Sequence, residues 1–190
     1  MKNPKILLHI CCGVCGLETI KRLKPNFRKI TLFFYNPNIH PTKEYQRRLD
    51  VVKKIAETEK LELIEGPYEV QEWFSAVRGL ENEPEGSRRC EVCFKIRLEK
   101  SAETAKKSDC EILASTLTIS PRKNAALIND IGRKAAGNLG IEFSAEDFKK
   151  KDGFKKTMEA AKKSGIYRQN YCGCVYSLKS GELAKLENSK

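Results

Sequence analysis

The chain has 190 residues, which is enough for one well-cored domain and too few for two ordinary ones. Hydrophobic residues make up 40% of it, which excludes a disordered chain, and the apolar stretch in residues 1–10 is too short for a secretory signal or a membrane span. A formal net charge of +11 favours a polyanionic partner such as RNA or DNA, although charge alone leaves an anionic membrane surface or a generically basic protein open.

Short apolar runs alternate with amphipathic stretches through the first part of the chain. Residues 5–10, 29–34 and 61–65 read as buried strands, because each is a short apolar run that ends at turn-forming residues. Residues 17–24 and 42–60 carry apolar side chains at helical spacing, with Thr42 as the expected N-cap of the longer helix. This alternation predicts an α/β fold with a mostly parallel, Rossmann-like sheet and flanking helices.

The same alternation continues to the end of the chain. A polar loop at residues 81–89 delivers Cys90 and Cys93 to the start of a helix at 94–108, and residues 110–121 read as a further buried strand. A helix at 123–140 follows. We expect a single α/β domain over residues 1–190, with a basic helical and loop extension at about 145–180 that completes the active site.

Eight cysteines are many for a chain with no secretory signal, and seven of them lie in three tight clusters. The clustered cysteines are Cys11, Cys12, Cys15, Cys90, Cys93, Cys172 and Cys174. Cys110 stands alone at the start of a predicted strand, where it is expected to be a small core residue. The clusters argue against a secreted disulfide framework and for metal or thiol redox chemistry in the reducing cytoplasm.

Three interpretations of the clusters remain open on spacing alone. The pairs Cys12-x-x-Cys15 and Cys90-x-x-Cys93 fit a structural zinc site. An iron–sulfur cluster held by four thiolates uses more of the thiols. The CGC segment at 172–174 is typical of a redox-active dithiol, because the intervening glycine lets the backbone close a strained ring.

The predicted sheet brings several of these residues to one edge. Ligands of open α/β sheets bind beyond the carboxyl ends of the strands. The loop after the first strand carries the first cysteine cluster, and the loop after the second carries Asn36, Asn38 and His40. Positive charge concentrates at residues 149–163, a few residues before the CGC segment, so a phosphate backbone held there would lie beside the thiols.

Five segments spread over nearly the whole chain together resemble one enzyme family. They are CCGVC, FYNPNIHPTKEYQRR, RRCEVCFKIRL, TLTISPRKN and GIYRQNYCGCVYS. The combination is similar to the cobalamin-independent epoxyqueuosine reductases, the QueH family. The resemblance implies a nucleotide α-hydrolase-like fold and a cytoplasmic oxidoreductase of queuosine biosynthesis. Such an enzyme reduces epoxyqueuosine at the wobble position of tRNA to queuosine, as the last step.

The resemblance also implies a cofactor and site residues. A [4Fe-4S] cluster would be held by Cys11, Cys12, Cys90 and Cys93, and Cys172 with Cys174 would form a redox-active disulfide. A further mononuclear iron is expected beside the cluster, with Cys15 and Asp147 as candidate ligands. The partners would be tRNA carrying epoxyqueuosine and an unidentified electron donor, with no membrane. ATP use is not expected, because ATP-using relatives of this fold have a Ser/Gly-rich pyrophosphate loop after the first strand, whereas the loop in this chain is rich in cysteine.

Two alternatives and one open role remain from the sequence. A zinc-stabilised RNA-binding module without catalysis and a thiol-based sulfur carrier for tRNA thiolation would use the same scaffold. The proton donor for the reduction is also open. Its candidates are Tyr35, Glu44, Asp147 and Asp152, which lie in or near the motif segments.

Overall fold

The structure, a computed structural model, describes residues 4–178. Five strands form one parallel sheet in the order β3-β2-β1-β4-β5. In chain order the strands are β1 Lys5–His9, β2 Lys29–Phe34, β3 Glu62–Glu65, β4 Ile112–Ser115 and β5 Glu142–Phe143. The helices are α1 Gly13–Leu23, α2 Thr42–Glu59, α3 Val70–Ala76, α4 Arg88–Lys107, α5 Ala125–Gly137 and α6 Gly153–Ser164. Short 3₁₀ turns cover Lys24–Asn26, Thr116–Ile119 and Val175–Ser177.

Strand β1 lies at the centre of the sheet and is apolar on both faces. Leu8 of β1 pairs with Leu32 of β2 on one side and with Ala114 of β4 on the other. Leu7 and Leu8 are both wholly buried although they point to opposite faces. A nearly continuous apolar run of this kind is typical of a parallel strand covered by helices on both sides.

Two helical layers cover the sheet. Helices α1 and α2 pack on one face, where their apolar side chains join those of Leu8 and Leu32. Helices α4 and α5 pack on the other face around Leu7 and Leu113. Helix α6 packs against α1. It is therefore coupled to the helix that follows the first cysteine cluster.

The direction in which the chain builds the sheet reverses between β1 and β4. Strands β1 to β3 are added toward one edge, and β4 and β5 are added toward the other. The loops that follow β1 and β4 therefore diverge and leave a crevice at the carboxyl ends of these strands. Such a switch point is where open α/β sheets bind their ligands.

The predicted α/β class with a parallel sheet is confirmed, and three local predictions are corrected. The predicted strand at 110–121 ends at Ser115, because the Ser115 side chain accepts a hydrogen bond from Leu117 N–H and starts a 3₁₀ turn. Helix α4 begins at Arg88, so Cys90 and Cys93 lie within it rather than before it. Pro41, not Thr42, is the N-cap of α2. The short edge strand β5 was not predicted.

The predictions of a single domain and of no membrane span can be compared with the structure only over the described residues. The single domain over 1–190 stays a prediction, because residues 1–3 and 179–190 lie outside the described range. Across residues 4–178, no helix combines the length and the apolar character needed to cross a membrane.

Candidate functional site

Three cysteine thiols follow β1, in the loop and first turn of α1. The sulfurs of Cys11, Cys12 and Cys15 all lie within 4.8 Å of one another, and in the described part of the chain no other such group of metal-ligating side chains occurs. Cys12 is the N-cap of α1, and its Sγ accepts a hydrogen bond from Cys15 N–H at 3.4 Å. The contacts that start the helix therefore also fix the positions of the thiols.

Hydrogen bonds among the three thiols favour ionisation of Cys11 over that of Cys15. Hydrogen bonds from Cys12 and then Cys15 hold the pKa of Cys11 well below its usual value, although burial opposes the shift. Hydrogen bonding to Cys11 raises the pKa of Cys15. Lys123, in the loop after β4, supplies a positive charge beside these thiols: burial lowers the pKa of its ammonium, but electrostatic attraction to the sulfurs of Cys11, Cys15 and Cys172 raises it overall. A fixed cation therefore lies among the cysteines of two sequence clusters.

Four further cysteines line a narrow cavity of about 30 Å³ beside this group. They are Cys90, Cys93, Cys172 and Cys174. Cys90, Cys93 and Arg97 follow one another on a single face of α4. The Nη1 atom of Arg97 lies 3.9 Å from the sulfur of Cys93. The Arg97 guanidinium therefore supplies a second buried positive charge at the thiols.

Arg97 also connects α4 to the end of β1. Its Nη2 donates to Asn36 Oδ1 at 2.7 Å, and Asn36 Nδ2 donates to the carbonyl oxygen of Ile10 at 3.0 Å. Ile10 immediately precedes Cys11. The buried side chains of Arg97 and Asn36 thus link the Cys93 sulfur to the backbone beside Cys11.

A second, larger cavity of about 340 Å³ lies on the other side of Cys172. Its lining includes the thiols of Cys11, Cys15 and Cys172. Its basic residues are Arg48, Arg122, Lys123 and Arg168. Cys172, Lys123, Arg122 and Glu85 line both cavities, so these residues form a shared wall. Cys172 is therefore accessible from a cysteine-lined cavity on one side and a cation-rich one on the other.

A buried ion pair on α2 holds the backbone of the CGC segment. Arg48 Nε donates to Glu44 Oε1 at 2.6 Å, and both side chains are 2% exposed. The remaining guanidinium nitrogens donate to the carbonyl oxygens of Cys172, at 3.0 Å, and Tyr171, at 3.2 Å. Tyr167 O–H completes the network by donating to Glu44 Oε2 at 2.7 Å. The forked guanidinium of Arg48 is suited to this task, because it presents several donors in one rigid plane.

Gly173 is required between the two cysteines for two reasons. Its φ of +108° lies in a region that side-chain-bearing residues rarely adopt. A Cβ at this position would also lie 2.7 Å from Ile39 Cγ1. His40 N–H donates to the Gly173 carbonyl oxygen at 2.8 Å and holds the turn in place. The thiols of Cys172 and Cys174 are free in the structure, and Cys174 N–H lies 3.4 Å from the Cys172 sulfur.

The other predicted residues lie away from the two cavities or inside the fold. Asp147 is paired with Lys149 at 3.0 Å, outside the Cys11, Cys12 and Cys15 group, and lines neither cavity. Tyr35 O–H donates to Glu69 at 2.6 Å. Glu44 is held by Arg48, and Asp152 is the N-terminal cap residue of α6. None of these four candidate proton donors lines either cavity. Cys110 is buried in the core, as predicted.

Sequence reasoning missed the cations and the amide that contact the thiols. Arg97 could have been found, since it is four residues after Cys93 on one helix and must share its face. Lys123 could have been found only from the strand order, which places the loop after β4 beside the loop after β1. Gln169 Nε2, which donates to Cys12 Sγ at 2.8 Å, carries no sequence signal, because 157 residues separate the two.

Comparison with known proteins gives a consistent result. The sequence model of the family described as "Epoxyqueuosine reductase QueH" matches residues 6–180. The protein named epoxyqueuosine reductase QueH from Streptococcus pyogenes is 42% identical over 93% of this chain and 71% of its own length. The protein of the same name from Thermotoga maritima is 40% identical over 91% of this chain and 90% of its own length.

A solved structure shares the fold at low sequence identity. It is the U34-tRNA thiolase NcsA from Methanococcus maripaludis with its [4Fe-4S] cluster, at a TM-score of 0.61 and 14% identity. The match covers 98% of this chain and 65% of the thiolase chain. This likeness concerns the architecture of the sheet and its helices. The family match over nearly the whole chain shows that this chain belongs to the epoxyqueuosine reductase QueH family.

Proposed function

We propose that this chain reduces epoxyqueuosine in tRNA to queuosine, an oxidoreductase reaction of queuosine biosynthesis. One observation carries the proposal beyond family membership. Cys172 lies on the wall shared by the narrow, cysteine-lined cavity and the larger, cation-rich cavity. A thiol in this position can meet a substrate held in the larger cavity while it remains next to the other redox-active sulfurs.

The stoichiometry of the reaction fits a dithiol. Converting an epoxide to an alkene breaks two C–O bonds, and the oxygen leaves as water, which takes up two electrons and two protons. Oxidation of the Cys172 and Cys174 thiols to a disulfide releases two electrons and two protons. One turnover therefore oxidises one dithiol to a disulfide. A separate electron donor must reduce this disulfide before the next turnover.

Cys172 is the thiol of the pair that is set up to react. A hydrogen bond from Cys174 holds the pKa of Cys172 well below its usual value, and Ser177 and Lys123 act in the same direction against burial. Hydrogen bonding to Cys172 raises the pKa of Cys174 well above its usual value. We assign Cys172 as the thiolate and Cys174 as the thiol that keeps a proton.

We further propose that Cys11, Cys12, Cys90 and Cys93 hold a [4Fe-4S] cluster, which supplies single-electron transfer when bound. The donor set fits this group, because a cluster needs four thiolates and its negative charge is balanced by the half-buried Lys123 and the buried Arg97. A single zinc ion would also take four thiolates, but zinc has no redox chemistry and could not pass electrons to the Cys172–Cys174 pair. Cys15, in contact with Cys12 at 2.9 Å, is the better placed of the two candidate ligands for an adjacent iron.

The partners follow from the same proposal. The tRNA would approach the larger cavity, whose basic lining residues and the chain's charge of +11 attract phosphate. Residues 154–172 supply much of this lining, which supports a role for the predicted basic segment at about 145–180 in completing the site. The cytoplasm is the proposed compartment, because free thiols persist in its reducing environment.

The direct test is anaerobic turnover on tRNA that carries epoxyqueuosine. Protein purified without oxygen and reduced with dithionite is incubated with this tRNA, and the nucleosides of the digested tRNA are separated by mass. We expect conversion of epoxyqueuosine to queuosine by the wild type and none by Cys172→Ser. Formation of a thiolated nucleoside on addition of ATP, or no change with intact tRNA binding, would instead favour the sulfur carrier or the binding module.

A further inference from the structure

Phe154 is the one large apolar side chain that the structure exposes within residues 4–178, at 39% exposure. It lies in the first turn of α6 and lines the larger cavity. A residue that both lines a cavity and faces solvent lies at its mouth. A single exposed ring is common on protein surfaces, but this one lies at the mouth of a cation-lined cavity, where a bound partner would cover it.

The backbone that presents Phe154 is held rigidly. Arg22 Nη2 donates to the carbonyl oxygens of Lys150 and Lys151 at 3.0 and 3.2 Å. Gly153 N–H donates to the carbonyl oxygens of Lys149 and Lys150, both at 3.1 Å. A Cβ at Gly153 would lie 1.8 Å from the Phe148 carbonyl oxygen, so only glycine fits there. Because this anchoring is complete before any partner arrives, the ring loses little freedom on binding.

The surroundings of Phe154 carry positive charge and few acids. Arg122 and Arg168 line the same cavity and are exposed. Lys155 and Lys156 follow Phe154 directly on α6 and are exposed too. An aromatic ring among exposed cations is the combination with which proteins hold single-stranded nucleic acid, by base stacking and phosphate contacts.

The cavity admits one nucleoside but not its neighbours. A volume of about 340 Å³ is at the small end of the roughly 300–1,000 Å³ typical of small-molecule pockets. Enzymes that act on one base take it out of its stack into such a pocket. The adjacent nucleotides must then cross the mouth, where Phe154 lies, and each has lost a stacking partner on the side of the extruded base.

We infer that Phe154 is a stacking platform for a nucleotide adjacent to the reacting one, and that Arg122 and Arg168 contact the phosphates on either side. The inference rests on the proposed function for the identity of the RNA. It assigns the mouth of the larger cavity and the start of α6 as the surface that receives the anticodon loop.

The test is a binding cycle on anticodon stem-loop RNA. The variants are Phe154→Ala, Phe154→Trp and Phe154→Leu, with Phe27→Ala as the control for loss of a partly buried aromatic ring away from the cavity. Each is titrated with stem-loops whose nucleotides next to the wobble position are intact or abasic. Removal of a stacked ring should weaken binding of intact RNA by roughly 5- to 150-fold. Phe154→Trp keeps an aromatic ring and should bind RNA with an affinity close to that of the wild type. Phe154→Leu should bind about as weakly as Phe154→Ala.

The decisive result is that the effects of Phe154→Ala and of the abasic nucleotide on the binding free energy do not add. If Phe154 stacks on a flanking base, making that nucleotide abasic weakens binding to the wild type but has little further effect on Phe154→Ala. Equal effects in both proteins, wild-type affinity of Phe154→Ala, or full rescue by leucine would each overturn the inference. Absence of reduction by the wild type would count against the proposed function, whereas the binding cycle alone decides the stacking role.

Discussion

Arg48 Nη1 donates a hydrogen bond to the carbonyl oxygen of Cys172 at 3.0 Å, across 124 residues of sequence. The guanidinium is held by Glu44, which lies on the same helix and is equally buried. The buried ion pair between Arg48 and Glu44 on α2 therefore positions the backbone of the CGC segment. Its contribution to turnover can be separated from its contribution to stability.

Arg48→Met is expected to abolish most turnover and to lower the free energy of unfolding by about 3–5 kcal/mol, because Glu44 is left buried and unpaired. The double variant Glu44→Leu with Arg48→Met removes both charges and should recover much of the stability. It should not recover turnover, since the donors to residues 171 and 172 are still missing. Chemical denaturation and the conversion assay measure the two effects, and recovery of turnover in the double variant would contradict the positioning role.

Gly173→Ala is expected to prevent the CGC segment from closing. The added Cβ meets Ile39 and forces a strained backbone, so the yield of Cys172–Cys174 disulfide after mild oxidation should fall. The matched control is Gly165→Ala, which has φ of +60° but open space around its Cβ. Mass spectrometry after thiol alkylation measures the disulfide. Equal yields from the two variants would show that the tight contact at Gly173 has no role.

Cys172 in the reduced protein is expected to react with iodoacetamide at lower pH than Cys174. The thiolate is the reactive form, and the pKa of Cys172 is held well below its usual value while that of Cys174 is raised. Lys123→Met removes a cation that favours the thiolate, so the pKa of Cys172 should rise and the midpoint of its alkylation should move to higher pH. Lys123→Arg keeps the charge and should stay close to wild type. An unchanged alkylation midpoint in Lys123→Met would mean that Lys123 does not lower the pKa of Cys172.

Arg122 and Arg168 are expected to bind phosphates of the RNA. Arg122→Ala and Arg168→Ala should each reduce the slope of log K against log salt by roughly 0.7, because each removes one charge that neutralises a phosphate. Lys24→Ala removes a charge at the opposite edge of the sheet, where Lys24 is paired with Glu59, and should leave the slope unchanged. Titrations of stem-loop RNA at several salt concentrations give the slopes. Equal slopes for all three variants would mean that the RNA does not enter by the larger cavity.

The sheet was predictable from the sequence because its signals are local. Apolar runs such as residues 29–34 and helical spacing in residues 42–60 each reveal their element without knowledge of the rest. The strand from 110 to 121 was predicted too long, since a hydrogen bond from Leu117 N–H to the Ser115 hydroxyl, invisible in an apolar pattern, ends it. Edge strand β5, two residues long, carries almost no periodic signal.

The candidate site was predictable only as far as its clustered cysteines. Short spacings and the family resemblance identified these residues, but the cations that neutralise them come from distant segments. Lys123 reaches the thiols through the strand order, and Arg48 reaches the backbone of the CGC segment through the packing of α2. Single-sequence patterns give neither contact. Asp147 pairs with Lys149 and lines neither cavity, so its role as an iron ligand stays a prediction.

The central claim is that cysteines from the beginning and middle of the chain hold one iron–sulfur cluster. The most direct measurement is iron and acid-labile sulfide per chain in anaerobically purified protein and in single serine variants of Cys11, Cys12, Cys90 and Cys93, with Cys110→Ser as the control. The account predicts about four iron and four sulfide per chain in the wild type and the control, and loss of both from each of the four variants. A full complement of iron and sulfide in Cys90→Ser or Cys93→Ser would contradict it.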